Sequence, residues 1–254
     1  MTDIFNLIDR VTFETSTYCN YAKIHPKCPA HDEKSVRNIS SSVVIKVLNY
    51  FGSKNFSGIF AWHQYNEPLV DPRLFGFIMM AKQKCPNSKI LVWTNGSNLD
   101  QTLVTELEKI GVTNLIVTSY FDKEKLESFT ADKMTYQVFP VGWVDVTDVY
   151  DRQEHNISAP CYAPLTDLTI TVDGKIGLCC RDFDRRNVFA DLNTASVEEA
   201  LVNSKLLETY QQLSSGQRCL DICKRCTIFR DWRSTKSKEN FTVSYLPSIT
   251  DKNK

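Results

Sequence analysis

No charge of either sign dominates this chain of 254 residues: thirty Lys and Arg balance thirty Asp and Glu. A chain without net charge has no global field to gather nucleic acid or an anionic membrane, so neither partner is expected. No apolar run approaches the ~20 residues that a membrane-spanning helix requires. The opening MTDIFNLIDR mixes acidic residues with a short apolar run and has the character of neither a signal nor a transit peptide. A cytoplasmic location is expected. The hydrophobic content of 42% and charged content of 24% are ordinary and suffice for a buried core.

Cysteine, in contrast, is plentiful. Nine of them in a reducing compartment need a use other than disulfides. Cys85 stands alone and suits a small buried hydrophobe. Cys19 and Cys28 lie near the start, and Cys161, Cys179, Cys180, Cys219, Cys223 and Cys226 crowd the last third. Clustering of this kind, with a C-x-x-C pair, points to metal binding.

Along residues 10–150, strand-like and helix-like runs alternate. RVTFET at 10–15, GIFAWH at 58–63, KILVWT at 89–94, VTNLIVTS at 112–119 and a run at 136–141 read as strands. Between them, 35–51, 72–84 and 99–110 have helical spacing, the last ending at Gly111 in C-cap position. Repeated strand–helix units imply a parallel sheet with crossover helices. In barrels of that kind the functional residues stand at the C-terminal strand ends. Polar residues gather there: Cys19, then Asn66-Glu67-Pro68, then Thr94-Asn95-Gly96, then Ser119. The units are fewer than eight, so a partial (β/α) barrel is expected over residues 1–155. Residues 156–230 change character, with a hairpin signal at Asp173-Gly174 and an amphipathic helix over 196–213 opened by the capping box Ser196/Glu199. The stretch 231–254 reads as a polar tail.

These motifs resemble the radical S-adenosylmethionine enzymes that carry a C-terminal SPASM or twitch domain. Cys161, Gly174, Cys179 and Cys223-Lys224-Arg225-Cys226 look like the signature for an auxiliary [4Fe–4S] cluster, held by Cys161, Cys179, Cys223 and Cys226. Zinc is the competing occupant of four thiolates. Asn66 and Glu67 stand where the family's glycine-glycine-glutamate-proline segment holds the amino group of S-adenosylmethionine, and Thr94, Asn95 and Ser119 resemble its other cofactor contacts. Cys19 and Lys27-Cys28-Pro29 align with the first two cysteines of the family's cluster loop. The gap between them is eight residues instead of three, and His31 takes the third position. The readings are ligation by His31, completion of the set by His25 or Cys85, or a loop without a cluster. The resemblance implies radical oxidation of a small-molecule or peptide substrate, with a flavodoxin- or ferredoxin-type reductant. The family's small single-auxiliary-cluster dehydrogenases put alcohol oxidation first. Peptide modification comes second, since only about ten residues precede the first strand, and epimerisation third, with Cys180 or Cys219 as thiol donor. A non-catalytic binding or regulatory relative is the reading from a different class. Glu14, Arg152, His155 and Asp182 are unranked candidates for acid–base work.

Overall fold

A computed structural model describes residues 4–25, 28–31, 35–141, 148–150, 152–155 and 157–227. Its strands are β1 (Arg10–Phe13), β2 (Ile59–Trp62), β3 (Lys89–Thr94), β4 (Asn114–Ser119), β5 (Thr135–Pro140), β6 (Asp167–Ile170), β7 (Lys175–Gly177) and β8 (Val188–Asp191). The helices are α1 (Ser41–Ser53), α2 (Leu74–Lys84), α3 (Gln101–Lys109), α4 (Lys123–Glu127), α5 (Ala163–Thr166), α6 (Val197–Leu201), α7 (Ser204–Ser214) and α8 (Asp221–Arg225). All eight strands form one sheet in the order β5-β4-β3-β2-β1-β6-β7-β8.

From β5 to β6 every pairing is parallel. Strands inside such a sheet are covered on both faces and read as apolar runs. β2, with the sequence IFAW, is buried at all four positions. Phe60 and Trp62 join the large core under the helices, whereas Ile59 and Ala61 face the other way and meet Leu91 and Ile116. On α1, Val43, Val44, Val47, Leu48 and Phe51 form the stripe packed against the sheet. α3 starts where the Asp100 carboxylate accepts from the Leu103 backbone at 2.8 Å and stops before Gly111, whose φ of 101° suits glycine.

The C-terminal residues extend this sheet. β6 pairs in parallel with β1, and β7 and β8 follow as antiparallel neighbours. The Asp173-Gly174 turn forms where expected, with Gly174 at φ 73°. A Cβ there would meet the Asn193 side chain at 2.9 Å.

Two helices differ from expectation. The helix read over 35–51 begins only at Ser41, because the chain before it runs alongside the opening loop. Thr17 N donates to the Arg37 carbonyl at 3.0 Å, and Ser16 bridges Asn38. The helix read over 196–213 is two helices, α6 and α7. Ser196 and Glu199 form the capping box, but the Asn203 side chain accepts from Leu206 N at 3.2 Å and starts a second helix. Residues 231–254, read as a tail, lie outside the described residues.

Candidate functional site

Two cysteine groups border the parallel sheet. The first stands at the C-terminal ends of β1–β4. Beyond β1 the chain turns through Cys19, and the Glu67 backbone N–H donates to the Tyr18 carbonyl at 2.9 Å, which ties the Asn66-Glu67-Pro68 segment to this loop. Glu67 is buried and fully engaged. Oε1 accepts from Thr94 Oγ1 at 2.6 Å and Leu69 N at 2.9 Å, and Oε2 accepts from Asn95 N at 2.6 Å. Its carboxyl is therefore a brace joining the ends of β2 and β3, with burial raising its pKa against those donors. Asn66 is different. Its Nδ2 donates to Thr15 Oγ1 at 3.2 Å, while the buried Oδ1 has no hydrogen-bond partner among the described residues. A sealed carbonyl oxygen without a donor costs free energy and suits an ammonium donor.

Asn95 faces the cysteine loop, with Nδ2 donating to Asn20 Oδ1 at 2.8 Å and lying 3.8 Å from Cys19 Sγ. The Thr94 hydroxyl is spent on Glu67, and the Ser119 hydroxyl donates to the Phe121 carbonyl at 3.1 Å. Burial pushes the Cys19 thiol up to about 11, with smaller contributions from nearby Glu67 and Cys28. Burial also raises Cys28. Both are thiols whose deprotonation calls for a metal partner. His31 closes the short turn Pro29–His31, and its side chain lies outside the described residues. The His25 ring meets Tyr120, with Nδ1 and the phenol oxygen 3.2 Å apart. Cys85 lies away from this corner, buried in the core with Sγ 3.9 Å from the Leu48 carbonyl, so it does not complete the set.

The second group surrounds a cavity of about 180 Å³. Cys161, Cys179, Cys180, Cys223 and Cys226 all line it, with Arg10 and Asp167 from β1 and β6. Sequence brings them there by three routes: the segment before α5, the end of the β6–β7 hairpin, and the C-x-x-C of α8. Among the described residues no three Cys, His, Asp or Glu side chains converge closely enough to hold a single metal ion. The thiols stand around a space, and four of them, Cys161, Cys179, Cys223 and Cys226, are the set assigned from the sequence to an auxiliary cluster or to zinc. Burial drives both Cys179 and Cys223 upward, and neighbouring cysteines add to it. Cys219 adjoins Cys223 but does not line the cavity.

Two of the unranked acid–base candidates, Glu14 and Asp182, line a small second cavity with Tyr65, Cys179 and Arg185, and both carboxylates are already hydrogen-bonded. Glu14 is held by Arg185. Asp182 accepts from Tyr150 and from the backbone of Arg186 and Asn187. The Arg152 guanidinium donates to Thr227 Oγ1, just past α8, and the His155 backbone N–H donates to the Lys224 carbonyl, which leaves the His155 imidazole unassigned. The polar side chain missed was His63, one residue past β2. Its place at a strand end was the signal that could have found it.

Residues 161–227 match the SPASM iron–sulfur cluster-binding domain. The chain is 22% identical over 238 residues to the S-adenosyl-L-methionine-dependent 2-deoxy-scyllo-inosamine dehydrogenase of Niallia circulans, a match covering 89% of this chain and 94% of that protein. Its fold superposes on BtrN, crystallised with AdoMet and 2-DOIA, with a TM-score of 0.74 at 20% identity over 89% of this chain and 97% of BtrN. It also superposes on native anSMEcpe with bound AdoMet, at a TM-score of 0.54 and 11% identity over 80% and 83% of the two chains. The partial barrel with a cysteine-rich C-terminal extension, expected from the resemblance to radical S-adenosylmethionine enzymes, is the fold of this chain.

Proposed function

We propose that this chain is a radical S-adenosylmethionine oxidoreductase that converts a secondary alcohol of a small molecule into a ketone. The observation that carries the reading is the pair of cysteine groups bordering one parallel sheet, with Asn66 offering an unsatisfied carbonyl at the first of them. The relatives support it: one acts on 2-deoxy-scyllo-inosamine by its name.

Cys19 and Cys28, with His31 in the third position, would hold the first [4Fe–4S] cluster, and Cys161, Cys179, Cys223 and Cys226 the auxiliary one. When bound, these clusters and S-adenosylmethionine supply a 5′-deoxyadenosyl radical for hydrogen abstraction and an acceptor for the electron left on the substrate. The chain's own residues do the positioning. Asn66 Oδ1 would accept from the cofactor's ammonium, with the amide fixed by the bond from Nδ2 to Thr15 Oγ1. Glu67 locks the backbone of Asn95, whose amide reaches Cys19 and Asn20. The electron donor is a flavodoxin- or ferredoxin-type protein, and the chain acts in the cytoplasm. If His31 ligates the first cluster, its imidazole would raise the reduction potential relative to three thiolates.

The test is anaerobic incubation of the reconstituted protein with dithionite, S-adenosylmethionine and 2-deoxy-scyllo-inosamine. Ketone and 5′-deoxyadenosine in equal amounts support the reading. No 5′-deoxyadenosine with or without the alcohol contradicts it.

A further inference from the structure

His63 has no part in the arrangement above, yet it follows directly on β2, three residues before Asn66. On β2 the side chains alternate, so Phe60 and Trp62 enter the helix-side core while Ile59 and Ala61 face the concave side. His63 continues the concave row, and its ring lies 5.7 Å from that of Trp93 at 47°. The Trp93 indole N–H is already donated to Thr118 Oγ1 at 2.8 Å. His63 Nε2 is sealed from solvent and makes no hydrogen bond among the described residues.

The groups that act on this ring are Arg10 and Asp167. Arg10 pairs with Asp167, whose other oxygen accepts from Thr12 Oγ1 at 2.7 Å. Arg10 and Asp167 also line the cavity of Cys161, Cys179, Cys223 and Cys226. His63 thus feels the charges of two residues that line the auxiliary-cluster cavity, and the chain leads from it within three residues to Asn66. Burial and the Arg10 charge, opposed by Asp167, bring its pKa down to about 4, so the ring is neutral at physiological pH and its orphaned Nε2 has a free lone pair when the other nitrogen carries the proton.

We infer that His63 is the base of the reaction, its Nε2 accepting first a hydrogen bond and then the proton from the hydroxyl that is oxidised on a cyclic polyol. This rests on the alcohol-oxidation reading above. The balance closes. The carbinol C–H hydrogen atom goes to the 5′-deoxyadenosyl radical, and the O–H proton goes to His63 Nε2. One electron passes to the auxiliary iron–sulfur cluster as the C–O bond becomes C=O.

The experiment uses the reconstituted holoprotein and 2-deoxy-scyllo-inosamine as probe. Calorimetric binding is measured with S-adenosylmethionine present and reductant absent, so that nothing turns over. The variants are His63→Phe and His63→Gln, each checked for wild-type iron content. His63→Phe is expected to weaken binding at least about tenfold, the value of one lost hydrogen bond to a buried group. His63→Gln keeps a hydrogen-bonding side chain without a usable base. Its binding should stay within about threefold, while ketone formed per 5′-deoxyadenosine falls by about 10²-fold or more. Wild-type binding by His63→Phe, or wild-type ketone yield by His63→Gln, overturns the inference. A wild type that cleaves S-adenosylmethionine but binds no probe also overturns it, and leaves the radical reading standing.

Discussion

Arg185 holds Glu14 by two hydrogen bonds, Nε to Oε2 at 3.1 Å and Nη2 to Oε1 at 2.6 Å, across 171 residues of chain. Glu14 Oε2 also accepts from the Val172 backbone at 3.0 Å. The end of β1, the β6–β7 hairpin and the loop before β8 are thereby fastened at one buried carboxylate. Burial raises the pKa of Glu14, and Arg185 opposes that rise.

Replacing Arg185 with Met strands this carboxylate. Breaking one side of a buried ion pair costs about 3–5 kcal/mol, whereas removing both partners is close to neutral. Urea unfolding of the single variant should therefore show a large loss, and the Glu14→Gln/Arg185→Met double variant should recover most of it. Equal losses in the two would show that the pair contributes nothing specific.

Asp71 and Arg73 do the same work at the other corner. Arg73 donates to both Asp71 oxygens, at 2.9 and 2.7 Å, and to the carbonyls of Ile39 and Thr15. Thr15 in turn carries the hydroxyl that fixes Asn66. Burial acts to raise the Asp71 pKa, but the bonds from Arg73 outweigh it and the net value lies below the ordinary one. A depressed carboxylate adds stability that is complete above its unfolded pKa of about 4 and lost as pH falls through the folded value. Compared with Asp71→Asn, the wild type should hold a constant advantage from pH 7 to 5 and lose it only below about pH 4. An advantage that declined between pH 7 and 5 would contradict this assignment.

The Asn66 amide should matter to the cofactor more than to the fold, where it makes the one bond to Thr15. Asn66→Ala removes an acceptor from a charged donor, worth about 1.5–3 kcal/mol, so the Kd for S-adenosylmethionine should rise about 10- to 100-fold with iron content unchanged. Glu67→Gln should behave differently. It disturbs a group bonded to Thr94 and Asn95, and the expected loss is in melting temperature as well as in binding.

Cysteine substitutions separate ligands from bystanders. Serine at Cys161, Cys179, Cys223 or Cys226 should deplete iron by about one [4Fe–4S] equivalent. Serine at Cys85 or Cys219 should leave iron content at the wild-type value. Loss of iron with Cys219→Ser, and retention with Cys161→Ser, would reassign the ligand set.

The parts of this protein legible in its sequence are those that local pattern encodes. Apolar runs such as KILVWT marked the strands, Gly111 and Gly174 marked a helix end and a turn, and polar residues after each strand marked the first corner. Two things were hidden because they depend on distant partners. Nothing local says that β6 lies beside β1, since Asp167 meets Arg10 and Thr12 only after the chain has folded back over about 155 residues. Nothing local says that Glu67 spends its carboxylate on Thr94 and Asn95, which leaves Asn66 as the free acceptor. The helix break at Asn203 was written in the sequence as a capping residue, but a strong amphipathic pattern on both sides obscured it.

The measurement that bears most directly on a radical enzyme with two clusters is iron and sulfide content after anaerobic reconstitution. It compares the wild type with the Cys19→Ala/Cys28→Ala double variant and assays S-adenosylmethionine cleavage under dithionite. The predicted result is about eight irons falling to about four, with 5′-deoxyadenosine formation lost. About four irons in both proteins and no 5′-deoxyadenosine from either would contradict it, and would leave a protein whose cysteine cavity holds a cluster without radical chemistry.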